Sequence, residues 1–314
     1  MSGSVSTATT WLRRPAVDAP PGVSLAVLAG VRVLAGLMWL YNVAWKQPPD
    51  FGQSSGSGVY GFTRDAVDHP VFPPYSWVVE HVVLPHFTPF GWAVLVVESL
   101  LAVALLTGSY VRIAALVGVA QSLAIGLSVA QTPGEWPWSY WLMIGLHLAL
   151  VVTASGAVLA VDAVRTEPGE RPDSRVPRLV GTWGVVFGLT GAVALALAAG
   201  DPWASSGASL GGSGLSVSLG TYNLLGAAVL LAVAVLMLAA AALRRGVVAY
   251  AAAVVAGLAA LSLYIQLSRT DVWLGGNNTS AAFLLCAVAV AVPMGRLLDR
   301  PVSGGRQQGA DARG

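Results

Sequence analysis

Eight apolar segments, each long enough to cross a bilayer, restrict the fold of this chain more than any other feature. They run approximately over residues 23–45, 90–107, 112–131, 138–161, 179–199, 221–243, 247–267 and 279–297. A hydrocarbon layer about 30 Å thick needs about 20 apolar residues of helix at about 1.5 Å rise per residue. Backbone groups in lipid must find partners within the protein, and runs this long and continuous suit helices rather than barrel strands. Composition agrees. Only 10% of the 314 residues are charged and 55% are hydrophobic, against about 25% charged in a soluble domain. The expected fold is all-α: a polytopic transmembrane helical bundle of about eight spans, with the lipid bilayer as its first partner.

Arginine placement orients the bundle. Thirteen arginines, beginning with Arg13 and Arg14 and ending with Arg306 and Arg313, fall on one side of the expected membrane. Lys46, Arg64 and Arg269 fall on the other, and Arg32 lies inside the first span. That bias puts both termini in the cytoplasm of a multi-pass protein, expected in the plasma membrane. The first span follows Arg13 and Arg14 but lacks a small-residue cleavage site and ends at Trp45 and Lys46, so it reads as a retained span. The net charge of +2 then reflects topology, and no basic cluster carries the interleaved aromatics of a nucleic-acid binder.

Redox and metal motifs are sparse. Cys286 is the sole cysteine, which excludes an internal disulfide, a CxxC pair and a cysteine zinc cage. His81 and His86 are five apart with Pro85 between them, unlike the i,i+4 pair of helical zinc sites. No flavin, haem or metal motif is visible, so redox chemistry would need a diffusible carrier.

The chain divides into a polar lead (1–21), a four-span unit (22–162) containing a long outer loop (47–89), a charged cytoplasmic linker (163–178), a second four-span unit (179–298) and a polar tail (299–314). Trp136 to Asp162 and Trp273 to Asp299 have the same spacing, which suggests a 4+4 internal duplication. In the long loop, FGQSSGSG reads as flexible, and the aromatic-rich stretch after it as short interfacial helices. Loop 201–220 also reads as flexible, and Asn277 and Asn278 as anchoring or capping residues.

Chemistry concentrates in the first unit. Arg32 shares a helix face with Gly36, Trp39 and Lys46. Counted from the segment ends, Glu98 and His147 lie at nearly equal depth, and Trp136, Tyr140 and Met143 share the His147 face. Ionisable groups at membrane depth are costly and often functional, so Arg32, Glu98 and His147 are the candidate catalytic set, with Glu98 as the counter-ion of Arg32. Lys46, Trp39, Trp136 and Tyr140 are candidate substrate-binding residues, and Gln121 a candidate interhelical hydrogen-bonding partner. A purely structural ion pair and snorkelling of Arg32 to the headgroups are the bland alternatives.

Residues 24–163 also resemble the DoxX/DoxD family of small four-span membrane proteins. The resemblance rests on Arg32 with Gly36, on Lys46 followed by Pro48, Pro49 and Phe51, on Glu98 with Leu106, Gly108 and Arg112, and on Gly156 with Asp162. It implies a membrane subunit of a thiosulfate- or thiol:quinone oxidoreductase, with Arg32, Lys46 and Glu98 forming a site in the outer half. Quinone would be the diffusible acceptor, and a soluble or membrane oxidoreductase subunit the partner. A non-catalytic scaffold that docks oxidoreductases and a small-solute or lipid transporter are the competing expectations. The long loop and the second unit depart from the short family pattern.

Overall fold

The computed structural model describes residues 22–165, 175–212, 217–266 and 272–299. The lead, the tail and most of the charged linker lie outside these residues, as does Arg269. The described chain is a helical bundle: seven helices are long and apolar enough to span a membrane.

Helix α1 covers Gly22–Ala44. After a turn come α2 (Gly58–Asp68) and α3 (Pro73–Val78). A π-helical turn (Val79–Val83) and a 3-10 turn (Leu84–His86) then lead into α4 (Phe87–Thr107). Pro85 offers no N–H, so the regular ladder breaks there and the chain winds through both irregular turns without leaving the rod. The result is one apolar rod from Pro73 to Thr107.

Next come α5 (Val111–Val129), α6 (Pro137–Val152) and the short α7 (Val161–Arg165). The second set is α8 (Arg175–Ala198), strands β1 (Ala208–Gly212) and β2 (Val217–Tyr222), α9 (Leu224–Leu243), α10 (Gly246–Gln266) and α11 (Asn278–Leu298).

Three expectations need correction. The fourth apolar segment was expected to be helical to residue 161, but α6 stops at Val152 with only 16 residues; Thr153–Ala160 turn instead, and their freed carbonyls are taken up by a side chain described below. FGQSSGSG is held by local hydrogen bonds: Ser57 N–H donates to the Gly52 carbonyl, and the preceding Asp50 carboxylate accepts from Ser54 N–H and its hydroxyl. Loop 201–220 carries strand β1 and most of β2, which pair antiparallel with Ala208 opposite Tyr222. The short helices expected after FGQSSGSG are present as α2 and α3.

The two sets of four are assembled alike. Gly36 of α1 meets Leu106 of α4 so closely that a Cβ would fall 2.8 Å from Leu106 Cγ; Gly184 of α8 meets Leu238 of α9 at 2.9 Å in the same sense. Asp162 accepts from the N–H groups of Tyr110 and Val111 at the start of α5, and Asp299 accepts from Gly246 N–H at the start of α10. The equal Trp-to-Asp spacing thus ends, in both sets, on an aspartate that caps the third long helix. Tyr264 of α10 donates to Ser99 of α4, and α11 packs against α1 and α4, joining the sets through one continuous core.

Candidate functional site

The polar centre of the first set is an ion pair. Lys46 Nζ lies 2.5 Å from Glu98 Oε2, and the two side chains are 2% and 1% exposed. Lys46 also donates to the Asn42 carbonyl (2.9 Å), and its ammonium lies 3.9 Å from the centre of the Trp45 ring. Gln121 donates to Glu98 Oε1 at 3.1 Å. Breaking such a pair by removing one partner typically costs about 3–5 kcal/mol, because an uncompensated charge stays buried.

The second set holds this lysine in place. The last carbonyls of a helix have no partner within it. At the end of α1 they are served from α11: Asn278 donates to the Val43 and Lys46 carbonyls, and Thr279 donates to Leu40. The neighbouring Asn277 caps α11 through a reciprocal pair of bonds with Ser280, as the capping reading expected.

Arg32 is not the partner of Glu98, against expectation. Its guanidinium donates to the carbonyls of Ser155 (3.0 Å), Val158 (3.3 Å) and Leu159 (3.0 Å) in the turn after α6. The Gly36–Leu106 contact explains why. Glu98 is eight residues from Leu106, or roughly 12 Å, which brings it level with the end of α1, whereas Arg32 lies roughly 6 Å from Gly36 in the opposite direction. The resulting gap of roughly 18 Å exceeds the reach of an arginine. Nor does Arg32 snorkel to headgroups: it is fully buried. It pins the turn that leads into α7, where Asp162 sits. Burial pushes the Asp162 carboxyl upward from its usual value, while the N–H groups of Val111 and Tyr110, then Arg165 and Arg32, pull it back.

His147 and Trp39 form a second buried unit. Trp39 Nε1 donates to His147 Nε2 at 2.9 Å, and the other ring nitrogen lies 2.8 Å from the Met143 carbonyl. With Nε2 accepting, the proton sits on Nδ1 and the ring is neutral in this arrangement. Gly118 makes room for the ring: a Cβ there would lie 2.1 Å from His147 Cδ2.

These elements surround a cavity of about 610 Å³ between α1, the α2–α3 cover, α4, α5 and α6. Of the sequence candidates, Lys46, Glu98, Trp39 and Tyr140 line it, with Gln121. His147 stands behind the wall and acts on it through Trp39, whereas Arg32 lies away from the cavity at the turn after α6. Trp136 is 65% exposed and packs on Trp138, so it is not part of the cavity. Sequence reasoning missed Glu135, Tyr75 and Ser128, which also line the cavity. Tyr140 donates to Glu135, and the Tyr75 hydroxyl lies 3.0 Å from Ser128 Oγ. Glu135 borders an aromatic entry to α6, the one signal that could have marked it.

Most of the wall is apolar. Leu34, Met38 and Tyr41 continue the stripe of α1 begun by Val23 and Val27, exposed from one end of the helix to the other. The cavity therefore opens along the face that α1 turns outward. Inside, the Lys46–Glu98 charges cancel, leaving ammonium and amide donors amid aromatic and aliphatic walls. These donors face a mostly apolar space, and Arg32, held at the α6–α7 turn, adds no charge to it.

Among the described residues no group of three His, Cys, Asp or Glu side chains could hold a metal ion. Compared with protein-family models, curated proteins and solved structures, the chain gives no significant match.

Proposed function

We propose that this chain is the quinone-binding membrane subunit of a thiol- or thiosulfate-oxidising system, held in the plasma membrane. One observation carries the reading: a mostly apolar cavity opens along the outward stripe of α1 and has the compensated Lys46–Glu98 pair on its inner wall. A ligand that partitions into lipid reaches such a cavity directly, and few but well-placed polar groups orient it. Quinone supplies two-electron, two-proton acceptor chemistry. Lys46 would donate to a carbonyl oxygen, Gln121 would fix the Glu98 carboxylate, and Trp39, Phe62 and Met143 would flank the ring.

The arrangement changes one part of the sequence-based picture. The resemblance implied a site formed by Arg32, Lys46 and Glu98 together; with Arg32 donating to the α6–α7 turn, the sulfur compound is assigned in this proposal to a partner oxidoreductase subunit. The internal duplication belongs to the same proposal. Counting from Gly36 and Gly184, the positions of Arg32, Trp39 and Lys46 correspond to Val180, Phe187 and Ala194 in α8. Counting from Leu106 and Leu238, Glu98 corresponds to Leu230. The second set lacks the polar residues and serves as a support, reaching the site through Asn278 and Thr279.

Binding of a decyl-tailed benzoquinone to the purified full-length chain, followed by quenching of tryptophan fluorescence, tests the reading. The wild type should quench saturably. Lys46→Met/Glu98→Leu, which keeps the volume apolar, should weaken binding roughly 10- to 100-fold, the value of a charged hydrogen bond. Equal, non-saturating quenching in both would refute the quinone site. Saturable displacement by phospholipid but not by quinone would favour lipid handling.

A further inference from the structure

Besides Lys46, Glu98 and Gln121, the cavity carries two further polar stations, both toward the arginine-poor end. Along α5 the wall residues Gln121 and Ser128 are seven apart, two helical turns or roughly 10 Å. Ser128 is joined there by the Tyr75 hydroxyl from the cover. Another seven residues on, just past the end of α5, comes Glu135, half-buried and gripped by the Tyr140 hydroxyl. The remaining wall between these stations is aliphatic or aromatic, apart from Asn42 and Thr63. The polar groups thus form a stepped series from the inner ion pair to the end of the bundle at which the α5–α6 connection lies.

We infer that Glu135 is the proton-exchange residue of the cavity, taking protons from the arginine-poor aqueous side and passing them through cavity water and the Tyr75–Ser128 hydroxyls to the Lys46–Glu98 pair. The inference rests on the quinone reading. A thiol donor oxidised to its disulfide releases two electrons and two protons, and forming a quinol consumes two of each. The Lys46 ammonium gives one proton to the oxygen it faces, leaving a neutral amine beside the Glu98 carboxylate. Glu135 restores that proton and is itself reprotonated by water outside; the second proton follows the same route. Tyr140 acts as a positioning residue, keeping the Glu135 carboxyl turned to the cavity instead of free in solvent.

The assay needs no partner protein. The full-length chain is loaded with decyl-tailed benzoquinone, and dithionite, a two-electron donor, is mixed in rapidly while bound quinol is followed by ultraviolet absorption. Glu135→Gln should bind quinone within about twofold of wild type yet form bound quinol about tenfold or more slowly, with a flattened pH profile. Glu135→Asp should recover rate and profile, which a merely structural role would not predict. An unchanged rate in Glu135→Gln overturns the inference while leaving the quinone site standing. Loss of binding and rate together also overturns it, making Glu135 a wall residue only. Absence of quinone binding in the wild type defeats both readings.

Discussion

Replacing Gly118 by alanine places a methyl carbon where the His147 ring already lies. An ideal Cβ falls 2.1 Å from His147 Cδ2 and 2.5 Å from Nε2, whereas carbon contacts rest near 3.5–4.0 Å. The ring must therefore retreat by about 1 Å or more, and the 2.9 Å bond from Trp39 breaks. Overpacking costs about 1–3 kcal/mol, and leaving the buried indole N–H without an acceptor about 1–3 kcal/mol more. The better helix propensity of alanine returns about 1 kcal/mol. The net loss is about 3 kcal/mol, read by reversible unfolding in mixed micelles. Gly145→Ala, in α6 with open space around it, is the control and should be neutral or stabilising by up to about 1 kcal/mol. Gly118→Ala within about 0.5 kcal/mol of wild type would refute the packing argument. Because Trp39 lines the cavity, quinone affinity should fall with stability in Gly118→Ala and stay unchanged in Gly145→Ala.

Three further perturbations separate support from site. Arg32→Lys replaces a planar fork serving three carbonyls with a single ammonium, so abundance and thermal stability should drop while quinone affinity in the surviving protein stays within about twofold; a selective loss of binding would return Arg32 to the site. Lys46→Met alone should cost about 3–5 kcal/mol and Lys46→Met/Glu98→Leu should recover most of it, measured in the same micelle unfolding assay; equal losses would mean the pair is not coupled. Glu98→Gln leaves the Lys46 charge uncompensated, so thiosulfate, without effect on wild-type quinone binding, should become a competitor; continued indifference to the anion would contradict the charge accounting.

The membrane bundle was legible because lipid tolerates so few backbone solutions that long apolar runs name their own structure. The end of α6 was not. Thr153–Ala160 are apolar enough to read as helix, and only the fold reveals that Arg32 supplies the donors letting their carbonyls leave it. Lys46, Glu98, Trp39 and Tyr140 were found as candidates because polar groups stand out in apolar sequence. Their pairing was misjudged because depth was counted from segment ends as if all spans began at one level. The rod from Pro73 continues well past its own crossing, and the Gly36–Leu106 contact sets the register that sequence does not state. Asn278 illustrates the remaining gap. Its capping character was readable, but that it serves α1 as well as its own helix depends on packing between the two sets.

Photolabelling tests the central claim most directly. A short-tailed quinone bearing a photoreactive group on its ring, cross-linked to the full-length chain in lipid and mapped by mass spectrometry, should label Met38, Trp39 or Met143 on the cavity wall. Excess unlabelled quinone should compete, and labelling should be lost in Lys46→Met/Glu98→Leu. Uncompeted labelling spread over the outward faces of α9 and α10 would show a ligand dissolved in lipid with no site, and the account would fail.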